Sequence, residues 1–331
     1  MTTIKDIAER LGVSPGTVSK GLNGAKDISE SLRQSILNTA VEMGYTKKKT
    51  QKKDTRKLCI LIENMDYYMK DDFGYDIILG FKQAAFKESF DVEVIPVSHE
   101  FQKKRPYDAF LLDQNCSGAF ICGFAFDDPW MEDLKTTNVP TILLDNYIKE
   151  NPMVGSVGSD SDEGIRLAVS HLVSLGHKKI AFLNGSKGSA ISEMRTEAYL
   201  KSMRLHQLEA VPEQIAYGHF VSTGVSEHVR KFLESGATAI LCGNDLIAYG
   251  VMEECKHLGI SVPDELSVIG YDDLPSSAHS EPPLTTVRQD RSKLGKCSYY
   301  VLYALINEVS LSRNLLRTTL TIRKSTDRVR N

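Results

Sequence analysis

The 331-residue sequence has no apolar run close to the roughly 18 residues that a membrane-spanning helix needs. Its first residues, MTTIKDIAERLG, lack the basic-then-apolar pattern of a secretory signal. No C-x-x-C pair and no histidine at metal-binding spacing accompanies the six cysteines, which are Cys59, Cys116, Cys122, Cys242, Cys255 and Cys297. We therefore expect a cytoplasmic protein with buried thiols in a reducing compartment and without a metal.

Charge is divided unevenly along the chain, although the formal net charge is only −3. Residues 1–57 carry 12 Lys and Arg against 6 Asp and Glu, a net charge of +6. The remaining residues carry 28 against 37, a net charge of −9. A basic segment joined to an acidic body predicts that only the basic segment meets a polyanion.

The first 45 residues have the pattern of three short helices with a tight turn between the first two. Apolar residues recur at helical spacing in three groups: Ile4, Ile7, Ala8 and Leu11; Val18 and Leu22; and Leu32, Ile36, Ala40 and Met43. Ser14 can cap the second helix, with Pro15 at its first position, and Ser29 starts the third. This pattern predicts a helix-turn-helix whose second helix enters the DNA major groove by its N-terminal end.

Two other interpretations of this segment are weaker. A small helical dimerisation or docking module has the same apolar pattern, but the net charge of +6 and the small residues at 14–17 favour DNA. The stretch GVSPG at 12–16 also matches the G-x-S-x-G nucleophile elbow of hydrolases. That motif needs a preceding strand in a large sheet, which a three-helix segment lacks.

The stretches TIKDIAERLGVSPGTVSKGLNG and ISESLRQSILNTAVEMGY resemble the DNA-binding head of LacI/GalR-family transcription regulators. The resemblance implies DNA contacts from these residues: Thr3, Ser14, Pro15, Gly16, Thr17, Ser19, Lys20, Asn23, Ser29, Tyr45, Lys47, Lys48 and Lys49. Pro15 and Gly16 stand at the family's main base-reading positions, yet neither offers a side-chain hydrogen bond. Lys20 stands where the family usually has arginine, and lysine lacks arginine's rigid bidentate fork.

Residues 46–57 are predicted to form a basic linker, because they contain seven Lys or Arg and no apolar side chain. In the resembled family this junction usually has Pro-Asn and then a leucine that wedges into the minor groove. Counted from Tyr45, the wedge position is Asp54, whose carboxylate the phosphates repel. We expect a joint that is disordered or weakly helical without DNA and contacts phosphates through lysine, without intercalation. A plain solvated linker is the alternative.

From Leu58 onward, short apolar runs alternate with helical segments. The runs are LCILI (58–62), VEVIPV (92–97), GAFIC (118–122), TILLD (141–145), KIAFLN (179–184), TAILCG (238–243) and LSVIGYDD (266–273). Helices are predicted at 74–89, 161–176, 190–205, 224–235 and 245–258. This alternation predicts parallel sheets with right-handed crossovers, arranged as two doubly wound lobes. In such folds, ligands bind beyond the carboxyl ends of the strands.

No catalytic constellation can be assembled from the body. GSKGS at 185–189 departs from the nucleotide-binding P-loop, and DSDEG at 160–164 lacks the spacing of an EF-hand loop. Neither paired carboxylates nor a nucleophile with a neighbouring base can be identified. The sequence therefore predicts no enzyme activity and no cofactor.

The stretches LCGNDLIAYGVMEECKHLGISVPDELSVIGYDD and PPLTTVRQD resemble the periplasmic-binding-protein-like regulatory domain of the same family. By position, the resemblance implies an effector site formed by Phe73, Asp145, Arg195, Phe220, Asn244, Asp272 and Gln289. Carboxylate, amide and guanidinium groups beside a flat aromatic face suit a polyol. Arg291, at a position that is often aromatic in the family, favours an acidic or larger ligand.

Each of these positions also has a purely structural interpretation. Asp272 ends a predicted strand and could cap the next turn, while Asn244 could serve only as a helix N-cap. Phe220 could belong to the core. Phe73 follows an unusually long aromatic stretch, NMDYYMKDD.

Together these features predict an α/β protein: a small all-α helix-turn-helix head (1–45), a basic linker (46–57) and a two-lobed body (58–331). We expect one lobe over 58–158 and 290–316 and the other over 159–289 and 317–331. The predicted function is that of a dimeric repressor of a pseudo-palindromic operator. We expect its operator affinity to be controlled by a small-molecule effector, a carbohydrate, bound between the two lobes. The alternatives are a solute-binding component of a sensing or transport system, which predicts a signal peptide and no basic head, and a regulator controlled by a protein partner.

Overall fold

The computed structural model describes residues 2–25, 27–45 and 56–330. The chain divides into two compact units: the first comprises Met1–Met65, Gly80–Val157 and Gly295–Asn314, and the second comprises Asp66–Leu79, Gly158–Leu294 and Leu315–Asn331. This division assigns residues 66–79 and 290–294 to the second unit, whereas the sequence grouped them with the first lobe. The predicted linker at 46–57 lies outside the described residues, except that Arg56 and Lys57 begin a strand.

The head folds into three helices: α1 (Ile4–Leu11), α2 (Pro15–Leu22) and α3 (Glu30–Glu42). Ser14 caps α2 by accepting a hydrogen bond from the Thr17 amide at 3.1 Å, and Pro15 occupies the first helical position. Ile7, Val18 and Ile36, one from each helix, are fully buried in a common cluster. The predicted helix-turn-helix is therefore confirmed, with the predicted caps.

The rest of the first unit is built on a six-stranded sheet in the order β11-β5-β4-β3-β1-β2. These strands are β1 (Arg56–Ile62), β2 (Phe90–Pro96), β3 (Ala119–Cys122), β4 (Thr141–Leu144), β5 (Val154–Ser159) and β11 (Arg313–Leu316). The pairs among β1 to β5 are parallel. Helices accompany these strands as α4 (Phe73–Lys87), α5 (His99–Lys104), α6 (Tyr107–Asp113), α7 (Pro129–Asp133) and α12 (Arg291–Ile306).

The second unit contains a six-stranded sheet in the order β12-β10-β9-β8-β6-β7. The strands are β6 (Ile180–Asn184), β7 (Ile215–Tyr217), β8 (Ala239–Cys242), β9 (Ser267–Asp272), β10 (Thr285–Arg288) and β12 (Thr319–Thr321). Only the β10–β12 pair is antiparallel among the described pairs. The helices are α8 (Ser161–Ser174), α9 (Ala190–Leu205), α10 (Ser226–Glu234) and α11 (Asp245–His257).

Alternate residues of β6 face opposite sides of this second sheet. Ala181 and Leu183 join an apolar cluster with residues of α10 and α11, whereas Ile180 and Phe182 join one with residues of α8 and α9. Helices therefore cover both faces, which is why the strands read as continuous apolar runs. The predicted doubly wound α/β architecture is confirmed.

The cysteine prediction is wrong for one pair. Cys59 in β1 and Cys116, just after α6, form a disulfide with Cα atoms 6.2 Å apart. Their sequence separation of 57 hid the pairing, because strand β3 follows Cys116 and pairs with β1 only in the folded sheet. The other four cysteines are free, and three of them are buried.

Candidate functional site

The N-terminal end of α2 presents an exposed, small-residue surface. Ser14, Pro15 and Gly16 are exposed, and Thr17 is half-buried. The Ser14 hydroxyl also lies 2.9 Å from the Thr17 hydroxyl, so the cap is held by two contacts. Free amides and small side chains at a helix N-terminus allow close approach to phosphate or to a base edge. This end of α2 is thus open to a nucleic acid.

Lys20 and Asn23 lie at the other end of the same helix. The Lys20 ammonium is paired with the Asp27 carboxylate, and this hydrogen bond lowers the pKa of Asp27. Asn23 is exposed and donates to the half-buried Ser19 hydroxyl at 3.5 Å. Both residues of the Lys20–Asp27 pair are more than half exposed, so the lysine can exchange its partner for a phosphate at little cost.

The remaining predicted DNA contacts are divided between caps, a partly buried tyrosine and the linker. Thr3 forms a capping box with Asp6, and Ser29 caps α3 through the Leu32 amide. Tyr45 packs against the head core, and burial raises its pKa. Lys47, Lys48 and Lys49 lie outside the described residues, as does the wedge position Asp54.

In the second unit, four predicted effector residues follow the carboxyl ends of neighbouring strands. Phe220 follows β7, Asn244 follows β8, Asp272 ends β9 and Gln289 follows β10. Parallel strands bring these ends to one edge of the sheet, which explains how distant residues share one region. Arg195 reaches the same edge from α9, where its guanidinium donates to the Gly243 carbonyl.

Asp272, Gln289 and Arg195 form the polar centre of this edge. Gln289 Nε2 donates to Asp272 Oδ1 at 2.6 Å, and all three residues are buried. The Arg195 guanidinium lies 3.8 Å above the Tyr271 ring, a cation–π contact. Burial raises the pKa of Asp272 to about 8, with Asp245 adding to the shift and the positive charge of Arg195 opposing it. Burial therefore favours the protonated form of this carboxyl.

Two buried polar atoms at this centre have no hydrogen-bond partner among the described residues: Arg195 Nε and Gln289 Oε1. The Ser192 hydroxyl, one turn before Arg195 on α9, is also without one. Unsatisfied buried donors and acceptors are costly and uncommon. A donor, an acceptor and a hydroxyl of this kind can be satisfied by a polar molecule.

Phe220 and Asn244 are linked through the backbone. Asn244 caps α11 by accepting from the Ile247 amide at 2.9 Å, and its Nδ2 donates to the Phe220 carbonyl at 3.0 Å. Phe220 has φ 58°, and its ring occupies the space where a Cβ on Gly185 would come within 1.9 Å of it. The capping interpretation of Asn244 is correct, and the cap also holds the half-buried Phe220 ring in position.

Asp272 does not cap the turn after its strand. Asp245 does so instead, accepting from the Leu274 amide at 2.8 Å and from the Ser277 hydroxyl at 2.6 Å. This buried network fixes the chain beyond β9 and leaves the Asp272 side chain to Gln289.

The other two predicted effector residues, Phe73 and Asp145, belong to α4 and to the chain after β4. Phe73 starts α4 in the second unit and is half-buried. Asp145 follows β4 in the first unit with a positive φ of 52°, and it is half-buried as well.

Sequence reasoning missed the anchors of the Asp66–Leu79 segment. Arg291 pairs with Asp76 at 3.0 Å and donates to the Asp72 carbonyl at 3.0 Å, and Asp71 accepts from the Ser276 amide at 2.9 Å. The charge of Arg291 is therefore already neutralised within the protein, which weakens its indication of an acidic ligand. The available signal was the acid-rich stretch at 71–76, which does not by itself identify Arg291 as its partner.

The described ranges contain no group of three or more side chains that could together hold a metal ion. They also contain no helix with the length and apolar character needed to cross a bilayer.

Comparison with known families matches both parts of the chain. Residues 3–48 match the family described as bacterial regulatory proteins, lacI family. Residues 169–326 match the periplasmic binding protein-like domain.

Two relatives align with this chain over most of their length. The HTH-type transcriptional repressor PurR of Aliivibrio salmonicida (strain LFI1238) is 25% identical over 321 residues, covering 95% of each chain. PurR of Actinobacillus pleuropneumoniae serotype 3 (strain JL03) is 28% identical over 303 residues, covering 89% of this chain and 88% of the relative.

Solved structures agree with this likeness. A lac repressor dimer bound to operator and the anti-inducer ONPF is 27% identical with a TM-score of 0.70, over 98% of this chain and 99% of that chain. A complex of the transcriptional regulator CelR with cellobiose has a TM-score of 0.73 at 24% identity, over 98% and 100%, and so shares the fold. The chain thus combines a lacI-type helix-turn-helix domain with a periplasmic-binding-protein-like domain, and it is similar over most of its length to DNA-binding transcriptional repressors.

Proposed function

We propose that the protein is a transcriptional repressor whose affinity for its operator is controlled by a small polar molecule bound at the carboxyl edge of the second sheet. The supporting observation is the group of buried, unpartnered polar atoms Arg195 Nε, Gln289 Oε1 and Ser192 Oγ. A ligand that satisfies them recovers the desolvation cost that the ligand-free protein bears. The relatives named as repressors, and the lac repressor bound to operator together with an anti-inducer, support the same function.

The proposed ligand class is a carbohydrate or a sugar derivative. Adjacent hydroxyls both donate and accept, which matches a guanidinium donor, an amide acceptor and a carboxyl that can do either. The Phe220 ring supplies a flat apolar surface of the kind that sugar rings contact through their C–H faces. Because Arg291 is already paired with Asp76, no uncompensated positive charge from that residue requires an anionic ligand.

A thermal-shift screen with the full-length protein tests this proposal. Neutral monosaccharides and disaccharides form one arm, and sugar phosphates and heteroaromatic bases form two others. A stabilising sugar that also changes DNA affinity in a gel-shift assay supports the proposal. Stabilisation by the bases alone would assign the site to planar heterocycles, and no response in any arm would favour control by a protein partner.

We also propose that the protein acts in the cytoplasm as a homodimer on a pseudo-palindromic operator. A cavity of about 600 Å³ in the second unit, lined by apolar residues such as Met252, Ile260 and Val262 and by the charged residues Glu253, Lys256 and Glu281, is the surface that we propose for the isologous contact. Light scattering should give about twice the 36.8 kDa chain mass. Ile260→Arg should reduce the mass towards that of the monomer, whereas Leu205→Arg, at an exposed apolar residue on α9, should not.

A further inference from the structure

The third head helix, α3, lies against α6 of the first unit. Ala109 and Leu112 of α6 belong to the same apolar cluster as Leu37 and Ala40 of α3. Ala109 is only 2% exposed although it lies on a surface helix of the body. The head core therefore continues beyond the head, across a seam formed by these two helices.

Four charged residues of alternating sign flank the seam. Arg33 of the head pairs with Asp113 of α6, whose side chain is 9% exposed. Arg105 lies 3.3 Å from the other Asp113 oxygen and 3.6 Å from Glu30 of the head. Acidic and basic side chains thus alternate along the series Glu30, Arg105, Asp113 and Arg33. The first and last of these residues belong to the head, and the middle two belong to the body. Partial burial at Asp113 makes the loss of a partner there more costly than in an exposed pair.

The body side of the seam is firmly attached to the first unit. Trp130 Nε1 donates to the Arg105 carbonyl at 2.7 Å, and the Tyr107 amide donates to Asp133 at 2.8 Å. The Tyr107 hydroxyl lies 2.7 Å from the Thr141 hydroxyl in β4. Helix α6 is therefore held firmly by the body part of the first unit. A head docked on α6 should move together with that part of the unit.

The docked head keeps its nucleic-acid surface accessible. Ser14, Pro15 and Gly16 at the start of α2 remain exposed, as does Lys20. The contact with α6 uses α3 instead. Docking is therefore compatible with DNA binding.

We propose that α6 is an intrachain docking surface that sets the orientation of the DNA-binding head, in addition to the covalent linker. The linker sequence TKKKTQKKDT at 46–55 has no apolar side chain with which to build a packed joint, whereas the seam has both apolar and ionic contacts. The docking contact itself is independent of the proposed effector control, but its regulatory role rests on that proposed function.

Carbodiimide labelling of carboxylates in the full-length protein, followed by mass spectrometry, tests the docking. Asp113 should label at least tenfold more slowly than Glu132, whose side chain is 77% exposed. Leu112→Ser leaves all four charges in place but weakens the apolar seam, and together with Arg33→Ala it should raise Asp113 labelling severalfold. Arg10→Ala is the matched control, because Arg10 pairs only with Glu42 among the described ion pairs, inside the head.

The result that overturns docking is Asp113 labelling as fast as Glu132 in the unaltered protein, or labelling unchanged in the Leu112→Ser/Arg33→Ala variant. A second measurement uses a DNA duplex selected from a random pool by the unaltered protein. The double variant should bind it severalfold more weakly than the Arg10→Ala control, because an undocked head must be ordered again on DNA. Equal affinity with increased labelling would overturn the orienting role, while absence of DNA binding by the unaltered protein would instead contradict the proposed function.

Discussion

Gln289 Nε2 donates a hydrogen bond to Asp272 Oδ1 over 2.6 Å, which leaves the Gln289 carbonyl oxygen buried and without a described partner. The amide is oriented by this one bond, so its acceptor is preorganised for a donor from a ligand. Arg195 contributes a donor at the same edge of the sheet. The pair therefore joins a buried carboxyl, whose protonated form burial favours, to a directed acceptor.

Arg195→Ala should weaken binding of the effector by about 1–3 kcal/mol, because it removes a hydrogen-bonding partner from a desolvated ligand group. DNA affinity of the ligand-free protein should be unchanged. Calorimetry with the compound identified by thermal shift measures the loss. Arg204→Ala is the control, since Arg204 is an exposed arginine on the same helix. Equal affinity for both variants would move the ligand site elsewhere.

Asp272→Asn should remove a pH dependence of stability. Burial raises the folded-state pKa of Asp272 to about 8, well above the ordinary value of an aspartate, so the folded protein retains a proton that the unfolded chain releases. Stability from this group is full at low pH and is lost as pH rises towards 8. The melting temperature of the unaltered protein should therefore fall relative to Asp272→Asn between pH 5 and 8. A constant difference across that range would show that Asp272 is ionised when buried.

Gly185→Ala should impair effector binding through Phe220. The added Cβ would lie 1.9 Å from the Phe220 ring, so the ring must move from its position at the sheet edge. Gly218→Ala is the control, because its Cβ would have no neighbour closer than 3.6 Å. We expect a loss of ligand affinity of about tenfold or more for Gly185→Ala alone, the scale of one displaced buried contact. Similar affinities for the two variants would exclude Phe220 from the ligand site.

The sequence was sufficient for the elements whose signals are local. Ser14, Pro15 and Ser29 marked helix starts, and continuous apolar runs marked seven strands: β1 to β4, β6, β8 and β9. Strands with few large apolar residues escaped notice, namely the internal strands β5 and β10 and the short strands β7, β11 and β12. Asn244 was recognised as a possible cap because capping depends on sequence neighbours.

The remaining features of the candidate site depend on tertiary contacts. Arg195 stacks on Tyr271, which lies 76 positions later in the sequence. Gly185 makes room for the Phe220 ring, and the two residues are adjacent only in the folded protein. The Cys59–Cys116 disulfide likewise required the fold of the first sheet. Neither apolar periodicity nor motif spacing predicts contacts between residues that are so far apart in the sequence.

Replacing Lys47, Lys48, Lys49, Lys52 and Lys53 with Gln should lower DNA affinity and flatten its salt dependence. Each lost phosphate contact should reduce the slope of log affinity against log salt by about 0.9. Five glutamines in place of exposed body lysines provide the control. A plain linker would leave the slope unchanged. A complex with a side chain from 46–57 between base pairs would contradict the prediction that this segment binds without intercalation.

We expect ligand binding in the second unit to change the DNA affinity of the head in the same chain. Fluorescence anisotropy of a selected duplex, with and without the compound of largest thermal shift, measures this coupling directly. Allosteric coupling free energies are typically about 1–3 kcal/mol, which predicts a change in DNA affinity of roughly 5- to 150-fold. That change should disappear in Arg195→Ala at ligand concentrations that saturate the unaltered protein. A DNA affinity that is identical with and without the bound compound would contradict the account.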